Sequence, residues 1–210
     1  MAPIQIGVMM ETIQFSDIAG LDILGNLSKD YLNDTMEFTP EEFHEHAMDM
    51  VIHYISTDLK PAHMTPSMRI LPSITYDDCP RDLDVLLIGG PLPSHRPAAA
   101  DKFLKEAVDK TGAILTTCIG SLWLASAGVL DGKRATTNRG ALELARVLYP
   151  NVEWVDERWV KDGKIWTSGG AGAGIDMVGE FARGKWNKGF VNYQLSALDF
   201  NPDAIGKYYK

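Results

Sequence analysis

The chain has 210 residues, 45% hydrophobic and 23% charged, enough for one domain (1–210) with a sizeable core. Its net charge of −8 argues against a nucleic-acid or anionic-membrane surface, because binding phosphate needs a basic patch. There is no membrane-length apolar run, no basic leader before the first strand and no disulfide framework from two cysteines, which predicts a soluble, cytoplasmic protein with reduced thiols.

Ile4–Met10 reads as a buried strand ending at Glu11 and Thr12. Asp17 follows where a helix should begin, as an N-cap, a first-turn acid or a functional carboxyl. Thr39-Pro40-Glu-Glu42 has the form of a capping box leading into Phe43-His44-Glu-His46-Ala47. Met50–Ile55 and Leu83–Ile88 are further strands, apolar on both faces as in a parallel sheet covered by helices. Cys79, in the polar turn Tyr76-Asp-Asp-Cys-Pro80, reads as an inert or partly exposed loop thiol. Gly89-Gly90 closes the Leu83–Ile88 strand, either as a tight turn or as a place where backbone N–H groups approach a ligand.

Pro97–Lys110 is a helix with Phe103, Leu104 and Val108 inward. Ala113–Thr117 is another strand, and it stops at Cys118 before Ile119-Gly120-Ser121 opens a helical pattern. That places Cys118 at the apex of a strand–turn–helix nucleophile elbow. The amides and dipole of the helix start are expected to lower its pKa and favour the thiolate. Gly140–Leu148 is a short helix with Leu142, Leu144 and Val147 inward. Strand pieces around Trp154, Trp159 and Trp166 follow, joined at Lys161–Lys164, and helices then span Ile175–Arg183 and Phe190–Leu198. Ser168-Gly-Gly-Ala-Gly-Ala-Gly174 fails the G-x-G-x-x-G spacing and reads as a turn feeding a helix.

The alternation makes an α/β protein with a mostly parallel sheet, so the ends of three strands should converge: Glu11, Gly89–Gly90 and Cys118. Gly90 and Ile119 are candidate oxyanion-type donors, with Glu11 or Asp17 as the acid partner of Cys118. The five histidines read as surface or packing residues, so no Cys-His dyad is evident and no metal site is expected.

Ala113–Gly128 with Val129–Thr137, Leu83–Pro91 and Arg158–Asp176 resembles the ThiJ/PfpI superfamily. The resemblance implies a flavodoxin-like, mostly parallel sheet with helices on both faces. The isonitrile hydratase-like branch reads Cys-Thr-Gly-Ser where this chain has Cys118-Ile119-Gly120-Ser121. That branch has an aspartate before a Thr-Gly-Pro turn, to which Asp17-Ile-Ala-Gly20 aligns with a one-residue deletion. Glu11-Thr12 resembles instead the strand-end glutamate of the branch with the oxidative-stress protein and deglycase. The histidine which that branch carries after Thr-Thr is here Asn138, and the histidine of glyoxalase and protease-like members after the cysteine is Ile119.

What the resemblance implies is a cofactor-free enzyme, often a homodimer, that acts on a small electrophile through Cys118 and Asp17 or Glu11, with Gly89 and Asn138 at the substrate. Hydration of an isonitrile is the leading activity; the alternatives are glyoxalase or deglycase chemistry on reactive carbonyls, and a redox-responsive protein with an oxidisable cysteine.

Overall fold

In a computed structural model, residues 2–200 are described. In chain order they form β1 (Ile4–Met9), α1 (Leu21–Gly25), α2 (Lys29–Thr35), β2 (Met50–Ser56), β3 (Ala62–Met64), β4 (Met68–Ile70), β5 (Ile74–Thr75) and β6 (Val85–Ile88). Then come α3 (Ala98–Ala107), β7 (Ala113–Thr116), α4 (Gly120–Ser126), β8 (Arg134–Ala135), α5 (Leu142–Leu148) and β9 (Glu153–Trp154). The series closes with β10 (Trp159–Asp162), β11 (Ile165–Ser168), α6 (Ala171–Lys185) and α7 (Lys188–Ala197). Seven strands make the main sheet in the order β10-β11-β7-β6-β1-β2-β5. Only the β10–β11 pair is antiparallel; the others run parallel. The parallel strands β2-β1-β6-β7-β11 follow the flavodoxin-like order, whose switch point lies between the first and third of them, here β1 and β6.

The central strands β6 and β7 are buried along their whole length because both faces of the sheet are covered there. Ile6, Val8, Val85, Leu87 and Leu115 face one core, shared with α1, α2, α6 and α7. Met9, Leu86, Ile88 and Ile114 point the other way into a second core, with Phe103 of α3 and Trp123 of α4. This is the period-2 alternation of a strand read against two hydrophobic layers instead of one. A parallel sheet covered this way collects its loops at the carboxyl ends of the strands.

Two local expectations change. Residues Glu41–His46 form a 3₁₀ helix instead of a capped α-helix. The Thr39 hydroxyl donates back to the Thr35 carbonyl at 3.1 Å, and Pro40, which stands at the N-cap position, has no side-chain group to cap the turn. In α5, Leu142 and Ala145 are buried, whereas Leu144 and Val147 are 55% and 78% exposed. A 3₁₀ turn at Arg139–Ala141 delays the start of the helix to Leu142, and the buried stripe then runs through positions three apart. Among the described residues no helix is long and apolar enough to cross a membrane.

Leu86 lies fully buried in a central strand. Leu86→Ala is expected to lower the unfolding free energy by about 2–5 kcal/mol. In urea denaturation the midpoint falls while the slope stays unchanged.

Candidate active site

Cys118 lies in the turn between β7 and α4, with a backbone φ of 59°. A left-handed conformation costs a non-glycine residue about 1–2 kcal/mol, so its surroundings must hold it there. Here they do so from several sides. Thr117 N–H donates to the Ile88 carbonyl at 3.0 Å, and Cys118 N–H donates to the Gly169 carbonyl at 2.6 Å. The Cys118 carbonyl accepts the hydroxyls of Thr137 at 3.1 Å and Ser121 at 3.4 Å. The ends of β6, β7 and β11 and the segment after β8 are thus tied together at one residue.

Close backbone contact explains the glycines. A Cβ on Gly120 would lie 2.5 Å from the Gly89 carbonyl oxygen and 2.7 Å from that of Ile88. A Cβ on Gly90 would lie 2.8 Å from Ile119 N, and one on Gly174 would lie 2.5 Å from the Thr117 hydroxyl. The glycine-rich run after β11 therefore lets α6 close against the residue preceding Cys118. Its Gly169 carbonyl anchors the cysteine backbone, a contribution that the failed dinucleotide spacing concealed.

Asp17 is 4% exposed, in the 3₁₀ turn Phe15–Ile18 after β1. Its Oδ2 accepts the Gly90 N–H at 3.0 Å, and its Oδ1 has no hydrogen-bond partner among the described residues. Burial pushes the carboxyl above its ordinary range, partly offset by that bond from Gly90. Burial also raises the Cys118 thiol, and the negative charge of Asp17 raises it further. The Ile119 N–H and the Asn138 side chain pull in the opposite direction but do not reverse the shift. The lowered thiol pKa expected from a helix start is thus overturned. The site is poorly solvated and already holds an acid, and both effects disfavour a standing thiolate. No hydrogen bond joins Asp17 to the sulfur directly; their coupling is through charge.

The remaining expected residues sit around this pair in different ways. Asn138 Nδ2 donates to Cys118 Sγ at 3.4 Å, so Asn138 contacts the sulfur itself. Gly90 does not offer the free amide expected of it, because Asp17 takes its N–H. Gly89 is buried, where a Cβ would lie 2.8 Å from Ile13 Cδ1, so it serves close packing and presents no surface to a substrate. Glu11 is half-buried and accepts the Tyr76 hydroxyl at 2.5 Å; burial raises its carboxyl. Of the two acids, Asp17 is the one whose charge acts on Cys118. Cys79, expected in a loop with some exposure, is buried in the same core as Tyr76, its thiol pushed by burial up to about 11, and both cysteines are free. None of the histidines enters the polar contacts of Cys118 among the described residues.

The apolar neighbours give less than expected: Ile13 is sealed in the core, and Phe15 is 45% exposed. A cavity of about 420 Å³ beside the cysteine turn is lined by Arg139, Arg158, Gly169 and Gly170. Its arginines are paired with Asp156 and Asp176. A larger one, about 580 Å³, lies at the opposite, amino ends of β7 and β11.

Comparison with known proteins agrees with this architecture. A family model described as the DJ-1/PfpI family matches residues 28–183. The chain is 34% identical over 133 residues to isonitrile hydratase of Pseudomonas putida, a match covering 62% of this chain and 57% of that protein. It is 30% identical over 129 residues to the HTH-type transcriptional regulator CdhR of Pseudomonas aeruginosa, covering 60% of this chain and 38% of the regulator. The chain thus spans about half the length, or less, of the curated relatives it matches. The crystal structure of a THiJ/PfpI family protein from Pseudomonas syringae superposes with a TM-score of 0.78 at 22% identity, covering 100% of this chain and 80% of that one. With a regulator among the relatives, an acidic charge balance does not by itself exclude association with nucleic acid. Glu11 and Asp17 precede the matched segment, so their place at the site rests on the geometry.

Asp17→Asn removes the repulsion that raises the thiol, and an amide oxygen can still accept the Gly90 N–H. The pH midpoint for alkylation of Cys118, followed by mass spectrometry, is expected to move to lower pH, with Cys79 silent. The stability profile changes too. A carboxyl whose pKa is raised by folding favours the folded state at low pH and loses that contribution as pH climbs through its folded value. Asp17→Asn should flatten that decline in a series of thermal melts across pH.

Proposed function

The chain belongs to the DJ-1/PfpI family, and from that premise we propose that it is a cysteine-dependent enzyme that hydrates an isonitrile to an N-formamide. The observation that supports this reading best is the acid at the thiol. Cys118 is coupled to the buried Asp17, and its side-chain donor is an amide, not an imidazole. Hydrolysis by a thiol normally needs a histidine to carry protons, whereas hydration of an isonitrile needs one shared proton and a water.

In this mechanism the Cys118 sulfur attacks the terminal carbon of R–N≡C, and the thiol proton, passed through Asp17, reaches that same carbon. The product is the thioimidate R–N=CH–S–Cys118. Water then adds to the carbon, with one proton going to nitrogen and the other to the Asp17 carboxylate as the C–S bond breaks. R–NH–CHO leaves, and the proton returns to the thiol–carboxyl pair. The unpartnered Oδ1 of Asp17 is the atom available for these transfers; catalytic contacts in unliganded sites are often longer than in the complex. The N–H of Ile119, which favours the ionised sulfur, supports the developing thiolate at the start and at the end.

Two other readings weigh less. Glyoxalase or deglycase chemistry loses the histidine replaced by Asn138. A sensor that oxidises readily needs a standing thiolate, which burial and Asp17 oppose. On the preferred reading the protein works on a small molecule, without cofactor or metal, as a soluble cytoplasmic homodimer.

Incubation with a simple alkyl isonitrile should give formamide, followed by ultraviolet absorbance. Cys118→Ala should abolish the product, and Asp17→Asn should lower kcat by about 10²–10⁴-fold, the usual contribution of a general acid–base group. Glu11→Gln should leave kcat of wild-type order. Activity that survives Cys118→Ala would overturn the nucleophile.

A further inference from the structure

Asn138 is the N-cap of the 3₁₀ turn that leads into α5, and its side chain is engaged at both ends. Oδ1 accepts the Gly140 N–H at 2.9 Å, while Nδ2 donates to Cys118 Sγ at 3.4 Å. The first bond decides the second. Only the oxygen of an amide accepts a hydrogen bond, so the backbone at Gly140 fixes the orientation and leaves the N–H₂ end against the sulfur. The next residue back is also pinned: the Thr137 hydroxyl donates to the Cys118 carbonyl at 3.1 Å. One loop therefore grips the cysteine by its carbonyl and by its sulfur.

We propose that Asn138 is a positioning residue for the nucleophile: with its amide locked by Gly140, it holds a permanent hydrogen-bond donor on Cys118 Sγ. The assignment rests on Cys118 being the reacting atom, but not on the identity of the substrate. The consequences are chemical. A donor on the sulfur excludes those S–H rotamers that point toward Asn138. It also favours the thiolate once the proton has left, alongside the N–H of Ile119. Unlike an imidazole, an amide neither gains nor loses a proton near neutral pH, so it stays a donor throughout the cycle. The titrating group that faces the thiol is then Asp17, from the segment after β1. On the remaining sides Cys118 meets main-chain groups and hydroxyls: the Gly169 carbonyl after β11, the Ile119 amide, Ser121 in α4 and Thr137. Proton traffic is confined to the carboxyl–thiol pair.

The cap and the sulfur contact can be separated. Asn138→Ser and Asn138→Asp keep an oxygen for the Gly140 N–H but lose the contact with sulfur: the aspartate has no donor, and the serine hydroxyl ends one atom short of the position of Nδ2. Alkylation of Cys118 by iodoacetamide at a fixed pH below the thiol midpoint, read by mass spectrometry, needs no substrate. Both variants should react more slowly, by about threefold to tenfold for the serine, the worth of one ordinary hydrogen bond, and more for the aspartate, which adds a second like charge. The alkylation midpoint should move to higher pH in both. Asn138→His should add a new titration step to the profile, which the wild type lacks. Thermal melts identify any variant that fails to fold, and the others carry the test. Folded serine and aspartate variants with an unchanged rate and midpoint would overturn the proposal and leave Asn138 a structural cap only. Failure of every isonitrile as substrate, with the alkylation shifts intact, would refute the proposed reaction and leave this assignment standing.

Discussion

A thiol and a carboxyl group held in one poorly solvated corner do not both ionise readily, and the structure is organised around that constraint. Burial raises Asp17 and Cys118 alike, and the charge of Asp17 raises Cys118 again. The negative charge on Asp17 thus opposes ionisation of the neighbouring thiol. At neutral pH it keeps a proton on the sulfur that can be delivered to a substrate as the nucleophile forms. A strongly acidified thiol would be a better standing nucleophile but would have no proton of its own to give. For a reaction in which the carbon that accepts sulfur must also accept hydrogen, retaining the proton is the more useful arrangement.

The fold supplies the corner through its sheet. Parallel strands with two buried faces bring the ends of β1, β6 and β7 to one side, at the switch point of the strand order. Glycine then permits approaches that a side chain would prevent. Gly120 lets the first turn of α4 rest on the carbonyls that end β6, and Gly174 lets α6 close on Thr117. The left-handed backbone at Cys118 is held by bonds to Gly169, Thr137 and Ser121. Rigidity at the sulfur thus comes from elements distant in sequence, while the acid arrives on a short 3₁₀ turn and its carboxylate accepts the Gly90 amide.

Much of this was legible in the residues. Short apolar runs marked the central strands β6 and β7, because a strand buried on both faces has no polar alternation to display. The step from Thr117 to Cys118 and then to small residues marked the turn. Other features were hidden for identifiable reasons. The sign of the thiol shift depends on how deeply the sulfur is buried and which acid it meets, and helix-start electrostatics alone gave the wrong direction. Gly90 was read as a donor to a ligand, yet its N–H is spent on Asp17, a partner 73 residues earlier. The choice between Glu11 and Asp17 needed Tyr76, which draws Glu11 away toward β5. Leu144 and Val147 were turned outward by a 3₁₀ turn that helical periodicity does not register.

All of this chemistry depends on where one hydrogen atom resides before any reactant enters. Infrared difference spectra of the unliganded protein at neutral pH, wild type minus Cys118→Ser, report it directly. A sulfur–hydrogen stretching band assignable to residue 118, displaced in frequency when Asp17 becomes asparagine, is the predicted result. Absence of that band, with the sulfur already ionised and indifferent to residue 17, would contradict the account.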